Sequence, residues 1–150
     1  MKIRYAHTNI ITKDWKKLAT FYQDVFACVP VPPERKLTGS WLEQGTGVKN
    51  ASLDGVHLRL PGHGENGPTL ELFQYSEMLD KSRPPQANRE GYGHLAFQVD
   101  DVEQILSQVI NHGGQVIGEI VKHEVTDVGL LTFVYVTDPE ANIIELQNWS

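Results

Sequence analysis

The sequence predicts an α+β protein of two tandem βαβββ modules, whose strands form a cupped, partly closed mixed sheet with the helices on its outer face. Three observations lead to this fold class. The 150 residues include 40% hydrophobic side chains, enough for one domain with a buried core. Strand-like and helix-like periodicities follow one another in the same order in both halves. One constant shift carries His7 onto His94 and Asp14 onto Asp101, which indicates an internal duplication.

Module 1 covers about residues 1–76. A predicted strand at residues 5–11 precedes Asp14, which is a suitable N-cap for a helix. Trp15, Leu18 and Tyr22 then recur at helical spacing, and the helix must end before Pro30. The other predicted strands of this module are residues 40–44, 51–60 and 69–75.

A linker of about residues 77–91, which contains Arg83-Pro84-Pro85, joins this module to module 2 at about residues 92–150. In module 2, Asp101 is expected to cap a helix that ends at Gly113-Gly114. The predicted strands are residues 93–99, 115–121, 130–136 and 142–149. Because a module of this size has a marginal core alone, we interpret residues 1–150 as a single domain.

The composition argues against several classes of function. A net charge of −6 leaves no basic surface for nucleic acid. No apolar run reaches the roughly 18 residues that a membrane span requires, and the N-terminus has no signal-peptide pattern. Cys28 is the only cysteine, so disulfide frameworks and thiolate zinc sites are excluded. We therefore expect a cytoplasmic protein with a small-molecule substrate and neither a nucleic-acid nor a membrane partner.

Two histidines and two glutamates are expected on the strand faces opposite the apolar core, related in pairs by the duplication. They are His7, Glu71, His94 and Glu145. Taken singly, each is more often structural. Because all four recur at equivalent positions, and neither glutamate has a cation nearby in its strand, we interpret them as ligands of one divalent metal ion. Their nitrogen and oxygen atoms suit zinc, nickel, cobalt, manganese or ferrous iron better than calcium.

Two stretches of module 2 resemble the vicinal oxygen chelate superfamily, namely residues 93–101 (GHLAFQVDD) and 138–146 (DPEANIIEL). His7 with residues 9–22 resembles the opening of the family's first module. The family includes glyoxalase I, methylmalonyl-CoA epimerase, extradiol dioxygenases, and fosfomycin and bleomycin resistance proteins. One departure is Ala141, where the family usually carries glycine. We expect Asn142 to compensate, because asparagine tolerates a left-handed conformation.

Within this family, a His, Glu, His, Glu set is most similar to glyoxalase I (lactoylglutathione lyase). The resemblance implies a lyase or isomerase that acts by metal-assisted proton transfer on a small substrate with two neighbouring oxygens. It assigns the role of base to Glu145, with Glu71 acting on the other face of the substrate. It also implies a homodimer. An epimerase, an extradiol-type dioxygenase and a metal-free resistance or binding protein stay open as alternatives.

The expected substrate contacts follow from strand alternation. His57 and Arg59 share the face opposite the apolar residues of their strand. If this face lines the site, Arg59 can hold a substrate carboxylate or phosphate; otherwise both side chains face solvent. The repeat equivalent of Arg59 is predicted to be Tyr135. Phe73 and Gln98 complete the predicted set, because they lie on the faces of Glu71 and His94; a place in the apolar core stays open as the alternative for Phe73.

Overall fold

The computed structural model describes residues 1–81 and 83–150. They divide into two compact units, Met1–Asp80 and Lys81–Ser150, and each unit carries one copy of the repeat. The predicted linker includes Ser82, which lies outside the described residues. No helix in the described part of the chain is both long and apolar enough to cross a lipid bilayer.

The first unit contains four strands and two helices. These are β1 (His7–Ile11), α1 (Trp15–Phe26), β2 (Val29–Thr38), α2 (Ser40–Thr46), β3 (Ser52–Arg59) and β4 (Thr69–Tyr75). The strand order is β1-β4-β3-β2. Strand β1 runs parallel to β4, whereas β4 with β3 and β3 with β2 are antiparallel.

Helix α1 packs against β3 and β4. Asp14 caps it as the sequence predicts, since its carboxylate accepts a hydrogen bond from the backbone N–H of Lys17 at 3.0 Å. Leu18 and Tyr22 lie in the buried stripe of the helix. The alternate strand residues that complete this core are fully buried: Leu58, Leu70 and Leu72. The polar side chains of β4 therefore lie on the opposite face of the sheet.

The predicted strand at residues 40–44 is wrong, because these residues lie in α2. Gly39 has a φ of +115°, and its carbonyl accepts the N–H of Glu43 at 3.2 Å, which begins the helix. Leu42 is buried, whereas Trp41 is 59% exposed. The second strand of the module is β2, whose three prolines are tolerated because it forms the edge of the sheet.

The second unit contains five strands and one helix among its described residues. These are β5 (Leu95–Gln98), α3 (Val102–Asn111), β6 (Gln115–Val116), β7 (Val121–Val125), β8 (Gly129–Thr137) and β9 (Ile143–Trp149). The strand order is β5-β9-β8-β6, and β7 also pairs with β8. Asp101 caps α3 as predicted by accepting the N–H of Gln104 at 2.9 Å, and α3 packs on β8 and β9.

The single strand predicted at residues 115–121 is also wrong, because two short strands, β6 and β7, replace it. The N–H groups of Ile117 and Gly118 both donate to the carbonyl of Tyr135, at 2.9 and 3.2 Å, which interrupts the ladder. The α+β class is confirmed, and each half begins with a strand followed by a helix as predicted; α2 in the first half and the division into β6 and β7 in the second depart from the βαβββ order. In the described residues, however, the strands form two separate sheets, neither of them closed, instead of one partly closed sheet.

Candidate metal centre

In the first unit, the parallel pairing of β1 with β4 brings His7 to Glu71. The register places Asn9 directly opposite Glu71, so His7, two residues earlier, lies on the same face. The His7 Nε2 atom is 3.2 Å from Glu71 Oε2. Asn9 Nδ2 donates to the same oxygen at 3.3 Å. The Glu71 side chain is only 10% exposed, so its charge needs these polar partners.

The second carboxylate oxygen of Glu71 contacts His57. The register of β3 with β4 places His57 directly opposite Glu71, and His57 Nε2 lies 2.9 Å from Oε1. On its other side, His57 Nδ1 is 3.4 Å from the Thr69 hydroxyl. Burial lowers the pKa of His57 from its ordinary value; the carboxylate of Glu71 opposes this shift, and Arg35 and His7 add to it. The contact to Glu71 is therefore a hydrogen bond from a neutral imidazole at neutral pH.

The second unit repeats the first pairing. The His94 Nε2 atom lies 2.9 Å from Glu145 Oε2, with side chains 30% and 16% exposed. The residue opposite Glu145 on β5 is Ala96, and the residue opposite it on β8 is Tyr135. The rings of His94 and Tyr135 have centroids 4.8 Å apart. Burial raises the pKa of Tyr135, and the charge of Glu145 raises it further.

These distances are compatible with metal ligation. Ligand atoms about 2.1 Å from an ion and at right angles to each other are about 3.0 Å apart. The imidazole–carboxylate separations of 3.2 Å and 2.9 Å lie near this value, and neutral imidazole with carboxylate is a donor set that transition metals prefer. Within the described residues, no three His, Cys, Asp or Glu side chains are grouped as a metal site. Taken by itself, each unit carries one His–Glu pair.

Comparison with known proteins identifies the family. The sequence model of the Glyoxalase/Bleomycin resistance protein/Dioxygenase superfamily matches residues 4–146 of this chain. The chain belongs to this superfamily. A glyoxalase family protein from Bacillus cereus is similar in structure with a TM-score of 0.85 and 18% identity, over 99% of this chain and 95% of that one. No curated protein matches the sequence.

Two further solved structures have lower TM-scores. The fosfomycin resistance protein FosX from Listeria monocytogenes, in complex with Mn(II) and sulfate, has a TM-score of 0.55 and 14% identity, over 100% of this chain and 95% of that one. A superfamily domain from Frankia has a TM-score of 0.60 and 15% identity, with both chains fully covered. At these identities the likeness shows the fold alone.

The turn that leads into β9 differs from its prediction. The left-handed residue is Ala141, with a φ of +65°, at the position where the superfamily usually has glycine. The sequence led us to expect the left-handed conformation at Asn142, but the structure has it at Ala141. The Asn142 side chain instead donates to Asp138 Oδ2 at 2.7 Å, and its backbone N–H donates to Oδ1 at 3.0 Å. Asp138 is 1% exposed and thereby holds the turn that precedes Glu145.

The remaining predicted substrate contacts are distributed over both units. Arg59 pairs with Thr69 and so lies on the face of Glu71, which is the side assumed for substrate binding. Phe73 lies on the same face, with its ring centroid 5.7 Å from that of His57, and also packs on the buried Leu42 cluster. Gln98, in the second unit, is exposed on β5. Tyr135 is the repeat equivalent of His57 and not, as predicted, of Arg59, because both His57 and Tyr135 lie opposite the glutamate.

Sequence reasoning missed two interactions of Glu71. Asn9 was not recognised as a partner, because parallel pairing between β1 and β4 cannot be derived from one sequence. His57 was assigned to the substrate, although its ring contacts Glu71. The available signal was alternation in β3, which gives the face but not the register.

Proposed function

We propose that this protein is a metal-dependent lyase or isomerase of the glyoxalase I type, acting on a small substrate with two neighbouring oxygens. His7, Glu71, His94 and Glu145 are the proposed ligands of one divalent ion. The observation that supports this most directly is the repeated His–Glu pair, at 3.2 Å in one unit and 2.9 Å in the other. Two carboxylates also balance the charge of a divalent ion, which neutral imidazole ligands alone would not do.

The chemistry proposed for this site is proton transfer. When bound, the ion would polarise a substrate carbonyl and stabilise negative charge on its oxygen. Glu145 is the proposed base: its Oε2 contacts His94, and its Oε1 has no hydrogen bond or ion pair among the described residues. That oxygen is available to take a proton from a substrate carbon and return it to the neighbouring atom. Glu71, with partners on both oxygens, is the less mobile carboxylate.

Arg59 is the proposed contact for an anionic group of the substrate. It lies beside Thr69 on the face of Glu71, and a guanidinium binds a carboxylate or phosphate through two parallel hydrogen bonds. Tyr135, Phe73 and Gln98 remain predicted contacts. The homodimer and the cytoplasmic location expected from the sequence also stay predictions.

The test combines metal analysis with a variant series. The purified protein is stripped with a chelator, reloaded separately with Zn(II), Ni(II), Co(II) and Mn(II), and assayed on hemithioacetals and on acyl-CoA thioesters. We expect turnover that depends on metal, and a loss of at least about 100-fold in kcat for Glu145→Gln, as for removal of a general base. Glu124→Gln, an exposed glutamate on β7, is the matched control. Activity of Glu145→Gln equal to that of the control contradicts the proposal.

The alternatives predict different results in the same experiment. Iron with oxygen uptake on a catechol would identify an extradiol-type dioxygenase. Turnover on acyl-CoA thioesters alone would identify an epimerase. Tight binding of a small molecule by protein that takes up no metal would identify a resistance or binding protein.

A further inference from the structure

The two glutamates of the duplicated site have different surroundings. Around Glu71, three polar residues lie on the same sheet face at neighbouring register positions: Asn9, His57 and Thr69. Their repeat equivalents, read from the same registers in the second unit, are Ala96, Tyr135 and Ile143. The residue type therefore differs between the two units at all three positions. Beside Glu145, two of the three residues, Ala96 and Ile143, are apolar.

The contacts reflect this difference. Both oxygens of Glu71 have partners: Oε2 contacts His7 at 3.2 Å and Asn9 at 3.3 Å, and Oε1 contacts His57 at 2.9 Å. Glu145 has one such contact within the described residues, from Oε2 to His94 at 2.9 Å. Rotation of the Glu71 carboxylate would break hydrogen bonds at both oxygens, whereas rotation of the Glu145 carboxylate would break a contact at one oxygen.

We infer that His57 is a positioning residue, which holds the Glu71 carboxylate by Oε1 so that Oε2 is presented to the metal beside His7. This inference rests on the proposed function, and it makes Glu71 the stationary ligand of the pair of glutamates. A hydrogen bond to the distal oxygen of a ligating carboxylate orients it and strengthens its bond to the ion.

His57 fits this role better than that of a further ligand. His7 and His57 contact opposite oxygens of Glu71, and their ring centroids are 6.1 Å apart. Within the described residues, His7, His57 and Glu71 are not grouped as a three-ligand metal site. The Thr69 hydroxyl, 3.4 Å from His57 Nδ1, can donate there, which leaves the proton on Nε2 for Glu71.

The experiment measures Zn(II) affinity by competition with a chromophoric chelator. His57→Phe removes the hydrogen bond but keeps a ring beside Phe73, and His57→Gln restores an N–H donor. His123→Phe, the same change at an exposed position of β7, is the matched control. We expect the Kd of His57→Phe to rise about 10- to 100-fold, that of His57→Gln to lie between it and the wild type, and that of the control to stay unchanged. If His57→Phe does not fold, Thr69→Val replaces it, with an expected rise of several-fold.

Co(II) absorption distinguishes positioning from ligation. At saturating Co(II), the His57→Phe spectrum should keep the shape of the wild-type spectrum, because the ligands are the same. A changed ligand-field spectrum would mean that His57 is itself a ligand, and an unchanged Zn(II) affinity would mean that it has no role in the site; either result overturns the inference and leaves the proposed function standing. A wild-type protein that binds no divalent metal overturns both.

Discussion

Ala141 is expected to be a position where glycine increases stability. It precedes β9 in a turn that Asp138 closes, and its own N–H donates to the Asp138 carbonyl at 3.0 Å. Its φ of +65° lies in the left-handed region, where a Cβ atom crowds the following carbonyl. The turn is held by its hydrogen bonds, so the strain is retained in the folded state. Ala141→Gly should relieve it without changing any contact.

The expected gain is the difference between two opposing terms. An L-residue pays about 1–2 kcal/mol for the left-handed conformation, which glycine adopts freely. Glycine also increases the entropy of the unfolded chain, which costs about 0.4–1 kcal/mol. The net effect of Ala141→Gly is a rise of about 0.5–1 kcal/mol in the free energy of unfolding. For a chain of 150 residues this corresponds to about 1–4 °C in Tm.

Urea denaturation followed by circular dichroism measures this change, provided that the m-values of variant and wild type agree. Ala96→Gly is the matched control, since Ala96 is exposed in β5 and is not among the residues with positive φ. There the same substitution should lower the free energy of unfolding by about 0.5–1 kcal/mol. Opposite signs at the two positions are the expected result. Equal losses at both would refute the argument that Ala141 is strained.

Two further predictions concern the first unit. Gly55→Ala should lower the free energy of unfolding by about 2 kcal/mol or more in the same assay, because the new Cβ would lie 2.1 Å from the backbone oxygen of Leu72. Gly45→Ala is the control: its new Cβ meets nothing within 4 Å, so it should not be destabilising. Burial raises the pKa of the Cys28 thiol to about 12, so the folded protein should resist a thiol reagent at pH 8. Its free energy of unfolding should fall as the pH rises from about 9 towards 12, because the unfolded chain then releases a proton that the folded chain keeps. Cys28→Ala should lack this part of the pH dependence, and rapid labelling of the folded wild type would contradict the prediction.

Helices α1 and α3 and their caps were predictable because their signals are local. Asp14 and Asp101 each accept the N–H three residues later, and this needs only an acceptor before an apolar stripe of helical period. The strand at Thr69–Tyr75 was equally clear, since Leu70 and Leu72 alternate with polar residues and both leucines are buried. In such segments the local preference and the tertiary environment favour the same structure.

The errors arose where tertiary position outweighed local preference. Prolines in residues 29–33 argue against a strand unless it lies at a sheet edge, and edge position is a property of the whole sheet. Residues 40–44 are a short segment with two apolar residues, Gly39 allows the chain to turn before it, and Leu42 is the buried residue of the helix that forms. A short segment of this kind is ambiguous by periodicity alone.

The candidate site shows the same division between face and register. Alternation correctly places His57 on the face of Glu71, but the contact at 2.9 Å depends on the antiparallel register of β3 with β4. The duplication does not reveal this contact either, because the equivalent residue is Tyr135. Comparing equivalent positions identifies what the two modules share, namely the His–Glu pair, and overlooks what distinguishes them.

Burial and the number of hydrogen-bonding partners differ in the same direction at the two glutamates. A carboxylate taken out of water must recover its hydrogen bonds within the protein. The Glu71 side chain is 10% exposed and has three partners, whereas that of Glu145 is 16% exposed and has one. The more exposed carboxylate can exchange a protein partner for water or substrate at lower cost. Under the proposed function, this difference favours Glu71 as the glutamate that holds the ion and Glu145 as the one that moves a proton, without any change in the shared pair.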